Sequence, residues 1–396
     1  MTMRIFFLDY SYEEGLRADA GGFRKLWEVA AALSRAGHDA TVLYPALPGR
    51  VPLRRVASAT YPVLDARGLR PLTAYPSMIA RAWRLARERK PDVVYFRSGL
   101  NVLPLVLRRL TGARLVLEVN ADTLEFMREG RRPRWEQRLF TAMEGRGARG
   151  SDAVVTLTPG LERMLAERYG VPRRRIHVVP SGTDVDHFVP ADAAECRRRL
   201  GLPQRAFVVG FVGLCYRHQG VPTLVDAIAR LRARQGGATG LIVGDGVMRR
   251  AWEAHARERG LAEAVRFAGQ VPYAEVPTWL GAMDVVTAPF TADRGETSPF
   301  KVLDAMACAR PVVASDLDSV RWLAKQADAV ALVPPDNAGA LADALSALAA
   351  HPARRADLGA RGRQFACAHH SWGRIAAAIE PVLEGRDAAR RPDECP

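Results

Sequence analysis

The chain has 396 residues, 48% of them hydrophobic and 25% charged, with a formal net charge of +14. That length allows two ordinary domains with separate cores, and the composition is that of a soluble globular protein rather than a disordered or fibrous one. No apolar run approaches the ~20 residues needed to cross a bilayer, and the opening MTMRIFFLDY turns polar too soon for a signal peptide; a cytoplasmic chain is expected.

Five cysteines (Cys196, Cys215, Cys308, Cys367, Cys395) are scattered, with neither zinc-ligand nor redox spacing, and read as reduced thiols. The positive charge is mainly arginine. It suits an anionic lipid headgroup, a phosphorylated acceptor or nucleic acid, but no nucleic-acid motif or aromatic interleaving accompanies it. The densest basic stretch, Arg128 to Arg138, reads first as a solvated loop and helix start and second as a membrane-surface patch.

In chain order, residues 3–9 form a strand and 10–20 a polar loop. Gly21 and Gly22 then start a helix whose Leu26, Val29, Ala30 and Leu33 fall at helical spacing, ending at Gly37 and His38 before a strand at 40–43. A glycine pair before a helix lets a ligand approach the backbone; it also makes a plain tight turn. No G-x-G-x-x-G follows the strand, which counts against a nicotinamide-dependent dehydrogenase. Residues 51–70 look irregular, 75–89 helical, and 92–96 a strand with Arg97, Ser98 and Asn101 at its C-terminal end, where open α/β sheets bind ligands. A helix at 103–110 leads to the strand 115–122, which runs into Glu118, Asn120 and Asp122. An asparagine cannot act as a base, and Glu118, in phase with a buried face, needs a partner there and fits a satisfied structural acid.

A helix at 135–148 and a strand at 153–158 follow, with Thr158 as the cap of a helix at 159–169. The D-x-D pairs Asp184/Asp186 and Asp316/Asp318 read as turn and capping residues, so no metal site is expected. The second domain starts near Ala191. Its strand 206–212 enters a glycine-bounded loop, Gly213 to Gly220, that opens a helix and suits phosphate contact. A strand ending in a Gly244-Asp245-Gly246 turn, a strand at 265–268, a helix at 274–282 and a strand at 285–288 come next. Further on, 329–333 and 338–348 continue the alternation, and an amphipathic helix at 375–383 follows His370-Ser371-Trp372. His369 and His370 have no third ligand in view. The last residues, from about Arg386, look disordered.

Between these lies the most informative stretch, Glu296 to Ser315. Pro299 opens a helix, as proline does in a first turn, and Val302, Leu303, Met306 and Ala307 supply its apolar side. A helix head carries unpaired N–H groups and partial positive charge, which favour a phosphate. Ser298, Phe300 and Lys301 offer a hydroxyl, amides and an ammonium there. Asp304 can accept from two neighbouring hydroxyls, as a ribose presents them, and Glu296 can hold hydroxyls beyond the far phosphate. On spacing alone, a loop acid and a helix acid that merely suit the dipole serve equally well.

The pattern E-x7-D followed by AMACARPVVA resembles the nucleotide-sugar motif of retaining glycosyltransferases of family 4 (group 1). So do, in order, Gly21-Gly22, the PSGTDVDHF run from Pro180 to Phe188, and the Gly213 to Gly220 loop. This chain departs from the family pattern at five places. Asp304 stands for a glutamate, Pro299 for a glycine and Asn120 for a histidine. Leu214 and Gln219 stand for an arginine and a lysine or histidine, with Arg217 and His218 between them as substitutes.

The resemblance implies an α/β GT-B fold, two Rossmann-like domains facing across a cleft. Residues 1–188 would be the acceptor side and 189–372 the nucleotide-sugar side, with a helix at about 373–387 packing back on the first domain and a tail at 388–396. It implies sugar transfer, with retention, from a nucleotide-diphosphate sugar to a hydroxyl of a glycan, lipid-linked saccharide or small glycoside, without metal or other cofactor. Lys301, Arg217 and the amides of Phe300 and Lys301 would offset charge on the diphosphate. Glu296 would orient the sugar and Asp304 the ribose, while Gly213, His218, Gly244, Ser298 and Pro299 would border the donor. Asn120 and the Gly21-Gly22 loop would border the acceptor, and the enzyme would sit free or peripherally at the inner membrane face. A nucleotide-sugar 2-epimerase of the same fold and a non-catalytic partner subunit remain as other readings.

Overall fold

The computed structural model describes residues 2–9, 21–47, 52–64, 70–98, 104–129, 132–296 and 298–386. The loop 10–20, Asn101, Arg131, Cys395 and the tail 388–396 lie outside them. The chain groups into two units: Met1–Ser181 with Gly295–Ser298 and Trp372–Pro396, and Gly182–Arg294 with Pro299–Ser371.

The first unit is built on a parallel sheet of β1 (Arg4–Leu8), β2 (Asp39–Ala46), β3 (Ala57–Pro62), β4 (Val93–Arg97), β5 (Arg114–Val119), β6 (Ala153–Thr156) and β7 (Ile176–Val178). The strand order is β3-β2-β1-β4-β5-β6-β7. Strand β1 is apolar at successive positions because both of its faces are covered. Ile5 and Phe7 join Trp27, Leu33 and Ile379 in one core, whereas Phe6 and Leu8 join Tyr75, Met78 and Leu117 in the other. The helix Trp372–Glu384 belongs to this unit: Arg114 Nε donates to the Val382 carbonyl at 3.1 Å, and His38 Nε2 lies 3.3 Å from Glu380.

Three local expectations change. The stretch expected to be irregular contains β3, paired with β2 from Thr41↔Ala57 to Ala46↔Pro62. It is an edge strand in which Tyr61 alone is buried, so it lacks the apolar run that marks the inner strands. The next helix is Arg70–Arg89, longer than the expected 75–89, and it runs through Pro76. A seven-residue helix, Thr123–Glu129, also appears where no periodic pattern announced one.

The second unit has β8 (Phe207–Val212), β9 (Ala238–Val243), β10 (Val265–Gly269), β11 (Val285–Ala288), β12 (Val312–Ser315) and β13 (Val330–Val333), all parallel, in the order β10-β9-β8-β11-β12-β13. Val312 and Ala314 face one core and Val313 the other, the same alternation as in β1. The helix Phe300–Ala307 follows β11 and buries Val302, Leu303, Ala305, Met306 and Ala307. Both sheets are doubly wound, and each reverses its order once, between β1 and β4 and between β8 and β11. Open sheets of this kind bind ligands beyond the strand C-termini at such a reversal.

Candidate active site

In the second unit the reversal is flanked by the loop after β8, which begins at Gly213, and the loop after β11, which leads to Lys301. The backbone of Gly213 has φ +152° and that of Gly244 has φ +132°, conformations that side-chain-bearing residues rarely adopt. The two loops lock together: Gly213 N–H donates to the Val243 carbonyl at 2.9 Å, and a Cβ on Gly244 would overlap the Gly213 carbonyl. A Cβ on Gly213 would lie 2.7 Å from Lys301 Nζ, so the lysine amine rests directly on this glycine backbone.

Lys301 Nζ donates to the Gln219 side-chain carbonyl and sits 3.8 Å from the centroid of Phe211 and 5.3 Å from that of Phe290. Arg294 caps the Phe290 ring at 3.9 Å. Burial, and then the Arg294 charge, push the Lys301 ammonium well below the ordinary lysine range. At the head of the Phe300–Ala307 helix the capping residue is Pro299, which is buried and makes no side-chain capping bond. One turn on, Asp304 Oδ1 accepts from the Thr183 hydroxyl at 2.6 Å. Thr183 is itself fixed by its N–H bond to the His370 carbonyl at 2.8 Å.

The two residues named as substitutes for the family's cations are placed differently. Arg217 pairs with Asp293, both side chains about half exposed. His218 is buried, with its ring stacked on Tyr216 and its carbonyl accepting from Thr291 N–H. Lys301 is thus the cation set against Gly213, and the Gln219 side chain is its acceptor.

In the first unit Gly21 and Gly22 are the first two residues of the helix Gly21–Arg35. At the end of β1, Asp9 accepts from Trp27 Nε1 at 3.1 Å, and Tyr61 donates to the Asp9 carbonyl. At the ends of β4 and β5, Glu118 is fully buried beside an equally buried Lys25, 3.0 Å away. Tyr95 donates to Glu118 Oε2, Asn120 Nδ2 donates to Oε1 at 2.7 Å, and Arg97 Nε lies 3.7 Å from Oε1. Burial pushes Glu118 upward, but Lys25, Arg97, Tyr95 and Asn120 outweigh it and hold the carboxyl below its ordinary value. Next to it, Arg168 grips Asp122 with two bonds of 2.6 Å.

Glu296 and Ser298 group with this first unit, whereas Lys301 and Asp304 group with the second. The Glu296 carbonyl accepts from Asp122 N–H at 3.0 Å. Its carboxyl group lies against Gly160, where a Cβ would come within 2.6 Å of it.

The structure therefore brings together Gly213, Gly244 and Lys301, sets Asp304 on Thr183, and sets Asn120 on Glu118. Lys25, Tyr95, Thr183 and Gln219 contribute without any signal in the local sequence, because each reaches its partner from another part of the chain, and Arg294 lies in the loop that leads to Lys301 without a motif that marks it. Among the described residues no cluster of three His, Cys, Asp or Glu can hold a metal ion, and no helix is long and apolar enough to cross a membrane.

Family models for glycosyltransferase family 4 and for glycosyl transferases group 1 match residues 21–187 and 206–351. The chain is 30% identical over 323 residues to the GDP-mannose-dependent α-(1-6)-phosphatidylinositol monomannoside mannosyltransferase of Mycobacterium tuberculosis, covering 80% of this chain and 81% of that one. It is 32% identical over 253 residues to 2-deoxystreptamine glucosyltransferase of Streptomyces kanamyceticus, covering 62% and 64%. Among solved structures, sucrose-phosphate synthase from Thermosynechococcus elongatus superposes with a TM-score of 0.79 at 22% identity, over 96% of this chain and 98% of that one. Anabaena HepE in complex with UDP gives 0.76 at 20%, over 96% and 100%. The chain belongs to glycosyltransferase family 4 and has the GT-B fold. It is a glycosyltransferase.

Proposed function

We propose that this protein moves a sugar from a nucleotide-diphosphate sugar to an acceptor hydroxyl and keeps the configuration at the anomeric carbon. The observation that carries the donor reading is the Lys301 amine lying on the Gly213 backbone at the reversal of the second sheet. A desolvated cation beside a glycine loop is suited to the charge that develops on a departing diphosphate. Asp304, oriented by Thr183, takes the ribose hydroxyls. In the first unit Asn120 and Glu296 are the hydroxyl-binding groups. The bond from the anomeric carbon to the phosphate breaks as the bond to the acceptor oxygen forms on the same face, and the acceptor's proton passes to the leaving phosphate. Positive charge for that phosphate comes from Lys301 and the amides at the helix head.

The names of the relatives support a hydroxyl acceptor of the lipid-linked or cyclitol kind: one is named for a phosphatidylinositol mannoside, the other for 2-deoxystreptamine. A lipid-linked acceptor also suits the helix Arg134–Gly150. There Trp135 and Leu139 are 65% and 53% exposed, and Arg134 and Arg138 are exposed beside them.

The test is thermal stabilisation by a panel of UDP, GDP, ADP, dTDP and CMP sugars, with Asp304→Ala and Lys301→Met alongside. A shift with one donor that both variants lose names the base and supports the reading. A folded protein that no donor stabilises sinks it. With the donor in hand, the anomeric configuration of the product decides retention, and a released 2-epimer would make the enzyme an epimerase instead.

A further inference from the structure

One face of the helix Gly21–Arg35 carries Arg24, Glu28, Ala31 and Arg35, spaced four, three and four residues apart and so aligned along it. Beside that face runs the segment that leads into β3. Leu53 and Val56 pack this segment onto the core of the first unit, and the Val56 N–H donates to the Arg54 carbonyl at 2.9 Å. Helix and segment border a cavity of about 550 Å³, open to solvent and lined by Ala31, Ser34, Arg35, Leu53, Arg54 and Arg55. It lies towards the edge of the sheet where β2 and β3 begin, since Arg35 closes the helix before β2 and Arg55 stands two residues before Ala57. Open sheets bind their ligands at the other edge, beyond the strand C-termini. The cavity is therefore outside the candidate active site.

Three of its six lining residues are arginines and none is acidic. Glu28, the acid on the same helix face, is buried and already met by two cations. Arg54 Nε donates to its Oε2 at 2.7 Å, Arg54 Nη2 lies 2.7 Å from its Oε1, and Arg24 adds a bond of 3.2 Å. The two-point grip of Glu28 on Arg54 is the strong, oriented kind, and it fixes that arginine as a wall of the cavity. Arg35 and Arg55 are exposed, and among the described residues neither makes a hydrogen bond or an ion pair. Their like charges border one concavity over a floor of Ala31 and Leu53, with no acid to offset them. A concave surface of one sign with apolar walls concentrates the potential and draws in a counter-ion.

The chemistry of the walls selects that ion. Guanidinium forks match the oxygens of a phosphate, and a doubly charged phosphate calls for more than one cation where a single arginine serves a carboxylate. Ser34 adds a hydroxyl. The volume is in the range of small-molecule sites, roughly 300–1,000 Å³, and larger than a bare ion needs. We infer that this cavity binds a phosphate ester, with Arg35 and Arg55 on the phosphate, Arg54 held in place by Glu28, and Ala31 and Leu53 beneath the carbon part. A soluble phosphorylated metabolite and a phospholipid headgroup share that chemistry. The site is independent of sugar transfer, because none of its residues belongs to the donor or acceptor positions described above.

An arginine-selective dicarbonyl reagent followed by peptide mass spectrometry reads each guanidinium in the full-length protein. Arg205, exposed and likewise without a partner among the described residues, reports general screening. Arg134 and Arg138 report contact at the helix that exposes Trp135. The probes are inorganic phosphate, glycerol 3-phosphate, acetate at equal ionic strength, and vesicles of phosphatidylglycerol or phosphatidylcholine. Glycerol 3-phosphate should slow modification of Arg35 and Arg55 saturably, inorganic phosphate more weakly and acetate not at all, while Arg205 keeps its rate. Arg35→Gln and Arg55→Gln, both at exposed positions, should each lower the affinity for glycerol 3-phosphate by about tenfold or more, the loss of a bond to a charged group. That affinity is read from protection of the arginine that remains, so phosphate bound at the Lys301 loop does not enter it.

Phosphatidylglycerol vesicles that protect the same pair at far lower phosphate concentration, with phosphatidylcholine inert, assign the site to a lipid headgroup. Protection by the soluble ester and not by vesicles assigns it to a metabolite. Arg35, Arg55 and Arg205 slowing together overturns the site, as does an affinity unchanged in both glutamine variants. Vesicles that shield Arg134 and Arg138, while no probe shields Arg35 and Arg55, overturn it as well.

Discussion

Between the rings of Phe211 and Phe290 and against the backbone of Gly213, the Lys301 amine holds its proton less tightly than an exposed lysine would. A nucleotide diphosphate brings negative charge to that point and raises the amine's pKa again. Donor binding is therefore expected to take up protons, and affinity should fall as pH rises through the lowered Lys301 value; calorimetry in buffers of different ionisation heat reads the uptake, which Lys301→Met abolishes. Gly213→Ala puts a methyl 2.7 Å from that amine and forces φ +152° on a residue with a Cβ, which costs on the order of 1–3 kcal/mol. The strain lowers stability, and displacement of the amine from its place on the loop should lower donor affinity roughly tenfold, the scale of one bond to a charged group. The Glu118 carboxyl makes a prediction of opposite sense. Its folded pKa lies below the unfolded value of about 4.3, so its contribution to stability is present at neutral pH and is lost as pH falls through the folded value. The Lys25→Met/Glu118→Leu variant should lose stability less steeply than the unmodified chain on acid titration followed by circular dichroism. At this scale the sequence motif located Lys301, Gly213 and Asp304, and the phase of Glu118 on a buried strand called for a partner. The partners themselves were not legible: Gln219 is 82 residues from Lys301, and Thr183 is 121 from Asp304. Only the folded sheets bring them within reach.

Single elements were easier to read where periodicity, burial and end signals agreed. Thr158 caps the helix Pro159–Tyr169, accepting from Leu161 N–H at 3.2 Å, and the helix ends at Gly170 in the left-handed conformation. Thr158→Ala should lower stability by about 1 kcal/mol, seen as a shift of the urea midpoint with an unchanged slope. The inner strands were legible because both of their faces are buried, which leaves an unbroken apolar run. Strand β3 was not, because an edge strand with one buried residue carries no such run. The helix Arg70–Arg89 begins five residues before the 75–89 that the pattern predicts, and it continues through Pro76, a residue that normally breaks a helix interior. Strand order was beyond any local pattern. Yet it is the order, reversing between β8 and β11, that places the Gly213 loop next to the one leading to Lys301.

For the molecule as a whole, the alternation of strand and helix made the doubly wound class readable, and the four motifs in sequence made the family readable. The net charge of +14 leads to a further expectation. Binding to vesicles of anionic phospholipid should exceed binding to neutral vesicles, fall as salt is raised from low ionic strength, and weaken in a Trp135→Ser/Leu139→Ser variant, as sedimentation with vesicles would show. The grouping of the chain carries one more consequence, which concerns time. The core of the first unit is closed by Ile375, Ile379 and Val382 of the last described helix, although that unit also contains the start of the chain. On the ribosome, residues 182–371 are made before that helix exists. At roughly 5–20 residues per second the wait is on the order of ten to forty seconds. The unit translated first is thus the last that can close its core. A nascent chain stalled before Trp372 would present an open apolar face on its first sheet while its second sheet is already complete, which makes that interval the stretch of synthesis in which the protein most needs a chaperone.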